Sequence, residues 1–231
     1  ITAVKVCIKS SKCHDYLNFV CLIRYLRKLL KLVRPEAFLM PPENYGKELI
    51  GIARETVAAA MEGRQPKISR EIIEKFSGKQ GAYVAIYRNG ELRGSIGYAE
   101  PVYTLWQAVV RAAFSAAFRD PRFLPLEKNE FNELIFEVSV LSPPEQIIAG
   151  DWKEVPAKID VKTDGLMVRL GPYTGLLLPQ SALRNKWSAV EYLNKTCQKG
   201  GLPPDCWQDK HAKIYRFQTQ VFSEEKVTKL A

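Results

Sequence analysis

The sequence predicts an α+β fold, a mainly antiparallel sheet with flanking helices forming large and small subdomains around a cleft. Three observations point that way. An Asn-Gly pair, Asn89-Gly90, sits between two strand-like runs, which is a strong local hairpin signal. The strands recur in hairpins and do not alternate strictly with helices, so parallel crossovers are not required. Two of the helical stretches open on capping boxes, Thr104 with Gln107 and Ser188 with Glu191.

Leu49, Ile50, Ala53, Val57, Ala60 and Met61 fall on one helical face, and Gly63 stops it. A short helix is expected over Glu71–Phe76, then the hairpin GAYVAIYR, Asn89-Gly90, ELRGSIGY. Thr104 and Gln107 form a capping box for a helix through Phe118, with Leu105, Val109, Ala112, Ala113 and Ala116 inward; Pro121 and Pro125 then break helicity. LIFEVSVL alternates as a strand and ends at Pro143-Pro144. Asp164-Gly165 marks a turn before LMVRL, GPYTG another, and LLLPQ a further strand ending at Gln180. Ser188 and Glu191 cap a helix that runs to Gly200-Gly201, and KIYRFQTQVF reads as one final strand.

With 231 residues, 46% of them apolar, the chain can bury a substantial core. It contains no charge-free apolar run long enough for a membrane span and no secretory signal pattern, so a cytoplasmic protein without a membrane span is expected. The net charge is +9, but the first 39 residues hold +6 and leave only +3 for the rest. Nucleic-acid binding is therefore not implied by the body of the chain. The division expected is a basic extension over 1–39, read either as preceding the natural start or as a loosely docked segment, followed by one domain over 40–231. Within the extension Phe19, Leu22, Ile23, Leu26, Leu29, Leu30 and Val33 fall at helical spacing among basic residues. That pattern reads either as a membrane-surface or partner-binding helix or as a loosely docked segment.

The hairpin carries the chemistry. A strict two-residue turn sets Ile86 opposite Arg93 and Val84 opposite Ser95. Alternation then puts Tyr83, Ala85, Tyr87, Leu92, Gly94 and Ile96 on a core face, and Val84, Ile86, Arg93 and Ser95 on the other, unless a glycine introduces a bulge. Two readings stay open. Gly94 and Gly97 leave backbone uncovered beside a guanidinium fork suited to a carboxylate or phosphate; or the glycines serve packing and Arg93 pairs with a nearby carboxylate.

ELRGSIGY resembles the signature of the AMMECR-type domain family, usually Leu-Arg-Gly-Cys-Ile-Gly. DPRFLPL, FEVSVLSPPE, TDGLMV, GLLLPQ and KWSAVEYLNKTCQKGGL are similar to further family segments in the same order, so the resemblance spans about residues 43–225. It implies a larger part built from both ends of the domain and a smaller part from its middle, with the signature beside the cleft between them. By that resemblance Arg93 and Ser95 are the candidate catalytic residues. Arg93, Gly94, Ser95, Gly97, Asp120, Arg122, Glu137 and Gln180 are the candidate ligand-binding set. Read as residues, Asp120, Arg122 and Glu137 either bring charge to the cleft or tie a loop to a strand. Gln180 either offers an amide to a ligand or caps a chain end. Genomic association of the family implies a Memo-like or radical-enzyme pathway partner. The resemblance names no reaction.

Ser95 stands where the family has cysteine. A thiol beside an arginine ionises readily, whereas a serine needs a base, and His211 is the single histidine of the body. Cys197 and Cys206 suit buried thiols or one local disulfide, with Cys197 on the same helical face as Leu193; their spacing does not match a zinc pair. FSGKQG lacks the phosphate-loop pattern, and GSIG is not a nucleophile elbow. No cofactor or metal is implied. The expected function is an enzyme or enzyme accessory that binds a small anionic substrate, or a modified partner residue, at this motif. The alternative is a non-catalytic protein-interaction or nucleic-acid-associated factor.

Overall fold

Two four-stranded antiparallel sheets organise the computed structural model, which describes residues 40–224. The strands are β1 (Gly81–Arg88), β2 (Glu91–Tyr98), β3 (Leu134–Leu141), β4 (Glu145–Gln146), β5 (Gly165–Leu170), β6 (Tyr173–Leu177), β7 (Lys213–Phe217) and β8 (Thr219–Ser223). The first sheet has the order β2-β1-β3-β8 and the second β4-β7-β5-β6. The α+β antiparallel architecture expected from the hairpins is the one observed. The basic helical pattern at residues 19–33 lies outside the described residues. Among the described residues no helix is long and apolar enough to cross a membrane.

Helices α1 (Gly46–Met61), α2 (Arg70–Lys75) and α3 (Leu105–Phe118) accompany the first sheet. Alanines on α3 let it approach closely: Ala108, Ala112 and Ala113 are fully buried in one cluster with Leu49, Val57, Val84, Ile86, Phe136 and Val138. The second core gathers Leu166, Val168, Tyr192, Leu193, Trp207 and Ile214 around α4 (Pro179–Asn185) and α5 (Ala189–Lys199). Its buried tyrosine is satisfied: the Tyr192 hydroxyl donates to the Leu177 carbonyl at 2.9 Å. A small third cluster of Leu141, Met167 and Phe217, joined by Tyr83, Leu176 and Leu178, links the two sheets. Of the two arrangements open to the cysteines, the local disulfide is the one present: Cys197, buried beside Leu193, is bonded to Cys206 and ties α5 to the short helical turn beyond it.

Three expectations need correction. LLLPQ is not a strand to its end: β6 stops at Leu177 and Pro179 opens α4, because proline suits a first helical turn and cannot donate to a ladder. Gln180 therefore stands on a helix and not at a strand terminus. The final run is two strands, β7 in the second sheet and β8 in the first, separated at Gln218.

The third correction concerns the hairpin faces. Asn89 and Gly90 both have positive φ, 52° and 81°, as the tight turn demands. Two residues on, however, the pairing slips from Tyr87 opposite Leu92 to Ile86 opposite Gly94, leaving Arg93 as an extra residue in a bulge. The core face of β1 is Ala82, Val84 and Ile86, each 0% exposed, and on β2 Gly94 is buried beside them. Tyr83, Ala85 and Tyr87 face the other way, with Leu92 and, beyond the bulge, Ser95. The aliphatic side chains go against α3, while the tyrosines border a cleft where a phenol can stay near water.

Candidate functional site

The two glycines of the motif are first a matter of space. A Cβ on Gly94 would overlap the Ala116 carbonyl oxygen of α3, so β2 lies directly against helix backbone there. A Cβ on Gly97 would overlap the Tyr83 ring, which lies across it. Both positions are closed to any side chain.

Arg93, thrown sideways by the bulge, is engaged on every side. Its Nε and Nη2 donate to the two Glu130 carboxylate oxygens at 2.9 and 3.1 Å, and Nη1 donates to the Leu124 carbonyl at 2.7 Å. Glu130 is 7% exposed; its hydrogen bonds from Arg93 hold its carboxyl below the ordinary value, against the opposing effect of burial. This fork ties β2 to the loop ahead of β3, and Arg93 is not among the residues lining the cleft.

On the opposite face a cleft of about 160 Å³ opens between the first sheet and the β6–α4 segment. Its floor and one wall are Tyr83, Ala85, Tyr87 and Leu92 from the hairpin and Leu176 to Leu178. Burial pushes the Tyr83 phenol up to about 12, so it stays protonated. Ser95, Arg122, Glu137 and Gln180 line the cleft, joined by Ser139, Ser181, Arg184 and Lys199. The Gln180 amide nitrogen lies 3.4 Å from the Ser139 hydroxyl, and its Oε1 is buried without a partner among the described residues. His211 is not a lining residue, so among the described residues no imidazole stands ready to take a proton from Ser95.

Asp120 lies beneath this surface and holds it in place. It is 4% exposed and accepts the Ser95 backbone N–H at 2.8 Å. Arg122 donates to the same carboxylate from Nε at 2.9 Å and Nη2 at 2.7 Å, while Nη2 also donates to the Ser95 carbonyl at 3.1 Å. The Asp120–Arg122 pair thus accepts and donates where a neighbouring strand would, capping the outer edge of β2 at Ser95. Burial works against ionisation of Asp120, but the Arg122 bonds and the Ser95 and Arg122 amides outweigh it and bring its carboxyl down to about 2. Arg122 Nη1 keeps its donors, having no partner among the described residues, and the side chain is 43% exposed at the cleft.

Asp120 makes stability depend on pH. A carboxyl with a depressed folded-state pKa contributes stability above its ordinary value near 3.8 and loses it as pH falls toward about 2. In urea unfolding, wild type should exceed Asp120→Asn by about 2 kcal/mol at pH 6, and the gap should close near pH 2. A gap independent of pH would show that the charge of Asp120 is not what holds the edge.

Of the residues singled out from sequence, Ser95, Arg122, Glu137 and Gln180 meet at the cleft, with Asp120 directly beneath. Gly94 and Gly97 lie on the same strand as packing positions, and Arg93 lies apart. Ser139, Arg184 and Lys199 join them in the structure. Ser139 carried a readable signal, two residues from Glu137 on the same face of β3; Arg184 did not, since its helix reads as a strand end, and the placement of Lys199 comes from tertiary packing alone.

A larger concavity, about 890 Å³, lies around β4 and Asp164. There Arg216 pairs with Glu145, Lys158 with Glu154, and Asp164 accepts from Gln218 at 2.7 Å.

The AMMECR1 family model matches residues 50–222, which include every cleft residue. A protein of Aquifex aeolicus is 41% identical over 181 residues, covering 78% of this chain and 92% of its own length. Protein NEQ441 of Nanoarchaeum equitans is 43% identical over 178 residues, covering 77% of this chain and 99% of its own. Among solved structures, that of the uncharacterised protein PH0010 from Pyrococcus horikoshii is similar with a TM-score of 0.75 and 40% identity, covering 79% of this chain and 92% of that one.

Proposed function

The chain belongs to the AMMECR1 family, and from that premise we propose that its cleft binds a small anionic group, borne either by a substrate or by a modified residue of a partner protein. The observation that carries the reading is Arg122. Asp120 fixes two of its nitrogens, so the guanidinium is oriented before any ligand arrives, and Nη1 is left to receive an anion beside Ser95. Pre-organisation of this kind reduces the entropy lost on binding. Concavity and convergent polar groups support a ligand site over a flat interaction surface. The protein then acts as an enzyme or an enzyme accessory, with a Memo-like or radical-enzyme protein as its pathway partner by family analogy. Ser95 serves as a hydrogen-bonding group at the anion and not as a nucleophile, because among the described residues no histidine borders it.

Titration with malonate and with inorganic phosphate, followed by backbone amide NMR, tests this. The Ser95, Ser139 and Gln180 amides should move saturably, and Arg122→Gln should abolish the effect. Shifts confined to other surfaces, or an unchanged response in Arg122→Gln, would remove the cleft from consideration.

A further inference from the structure

We propose that the anion is a phosphomonoester, carried by a small molecule or by a phosphorylated side chain, and that Arg184 and Lys199 complete its binding shell. The inference rests on the anion-site reading above and narrows it to a chemical class. Three cations reach one small cleft from three different elements: Arg122 from the loop after α3, Arg184 from α4 and Lys199 from the end of α5.

Most arginines of the described chain are neutralised internally. Arg54, Arg64, Arg70, Arg88, Arg93, Arg169 and Arg216 each pair with a carboxylate, and Arg111 and Arg119 lie over aromatic rings. Arg184 and Lys199 have neither kind of partner among the described residues, yet both border the cleft. Holding like charges around a common space is unfavourable until an anion enters it.

Donor number argues for phosphate over carboxylate. Arg122, Arg184, Lys199, Ser95 and Ser181, all residues with donor groups, line the cleft. A carboxylate presents two oxygens to them, and malonate divides its four between two planar groups, whereas a phosphoryl group gathers three around one atom. Charge agrees in sign: even with Asp120 assigned to Arg122 and Glu137 counted against the rim, one positive charge remains. The cleft, about 160 Å³, has room for a phosphoryl group and its attachment.

Calorimetric titration of the full chain at constant ionic strength separates the outcomes. The probes are inorganic phosphate, malonate, free O-phosphoserine and a phosphoserine peptide. Phosphate should bind at least about tenfold tighter than malonate, and Arg184→Gln and Lys199→Gln should each weaken phosphate about three- to tenfold. Both side chains are exposed, so neither substitution should disturb folding. Equal affinity for free O-phosphoserine and the peptide supports a small-molecule source, and a peptide bound about tenfold tighter supports a phosphorylated partner. Malonate binding as tightly as phosphate, or rim variants that leave phosphate affinity unchanged, would overturn the phosphomonoester and leave the anion site standing. Failure of every anion to bind would remove both.

Discussion

Gly94→Ala should lower the unfolding midpoint by about 6–12 °C, corresponding to roughly 3 kcal/mol in a chain of this size. The added methyl meets the Ala116 carbonyl oxygen, which is helix backbone and cannot rotate away as a side chain would. Either β2 lifts from α3, opening the alanine-lined interface, or the helix shifts against Val84 and Ile86. Both disturb the larger core. Gly51→Ala is the matched control: it adds the same methyl on α1 where nothing lies within 4 Å, and should be neutral or stabilising by about 0.5–1 kcal/mol. Differential scanning calorimetry of the two variants suffices. A tolerated Gly94→Ala would mean that the close approach is not a constraint and that glycine there serves something else.

Arg93→Met should have an effect of similar size through a different cause. The substitution keeps much of the aliphatic stem but removes the fork, leaving the Glu130 carboxylate, 7% exposed, with Arg88 at 3.2 Å as its one cationic partner among the described residues. Removing one member of a buried pair costs about 3–5 kcal/mol, and the remaining Arg88 contact brings the expectation toward the lower end. The variant should also free the loop around Leu124 and Pro125, raising amide exchange there. Anion binding at the cleft should survive. Loss of binding with stability unchanged would return Arg93 to the site.

The Arg-Gly-Ser-Ile-Gly motif thus divides by role. Period-two reasoning locates the hairpin, its turn and its length, because those depend on local signals. It picks the wrong core face on β1 because both faces of that strand carry apolar side chains, and it misplaces Gly94 and Ser95 because a bulge has no sequence mark other than a glycine. One extra residue moves Ser95 to the face of Leu92 and sends Arg93 out toward Glu130. Glu130 itself is illegible as a partner, being a charged residue in a polar stretch whose burial is decided by tertiary packing. The Asp120–Arg122 pair is visible as charge, but its work on the edge of β2 depends on a loop path that two prolines allow without specifying. The split of the last run between two sheets and the start of α4 at Pro179 escape for a related reason, since short apolar runs read as strands until a proline is given its helical alternative.

Affinity for inorganic phosphate, measured side by side in Arg93→Met and Arg122→Lys, tests the assignment of scaffold and site most directly. Arg122→Lys keeps a cation beside Asp120 but cannot bond Asp120, the Ser95 carbonyl and an incoming anion from one rigid fork. It should weaken phosphate at least about tenfold with a modest loss of stability, while Arg93→Met should retain phosphate affinity within about twofold and lose several degrees in midpoint. The reverse pattern, binding lost with Arg93 and kept in Arg122→Lys, would contradict the account and move the site to the other side of the hairpin.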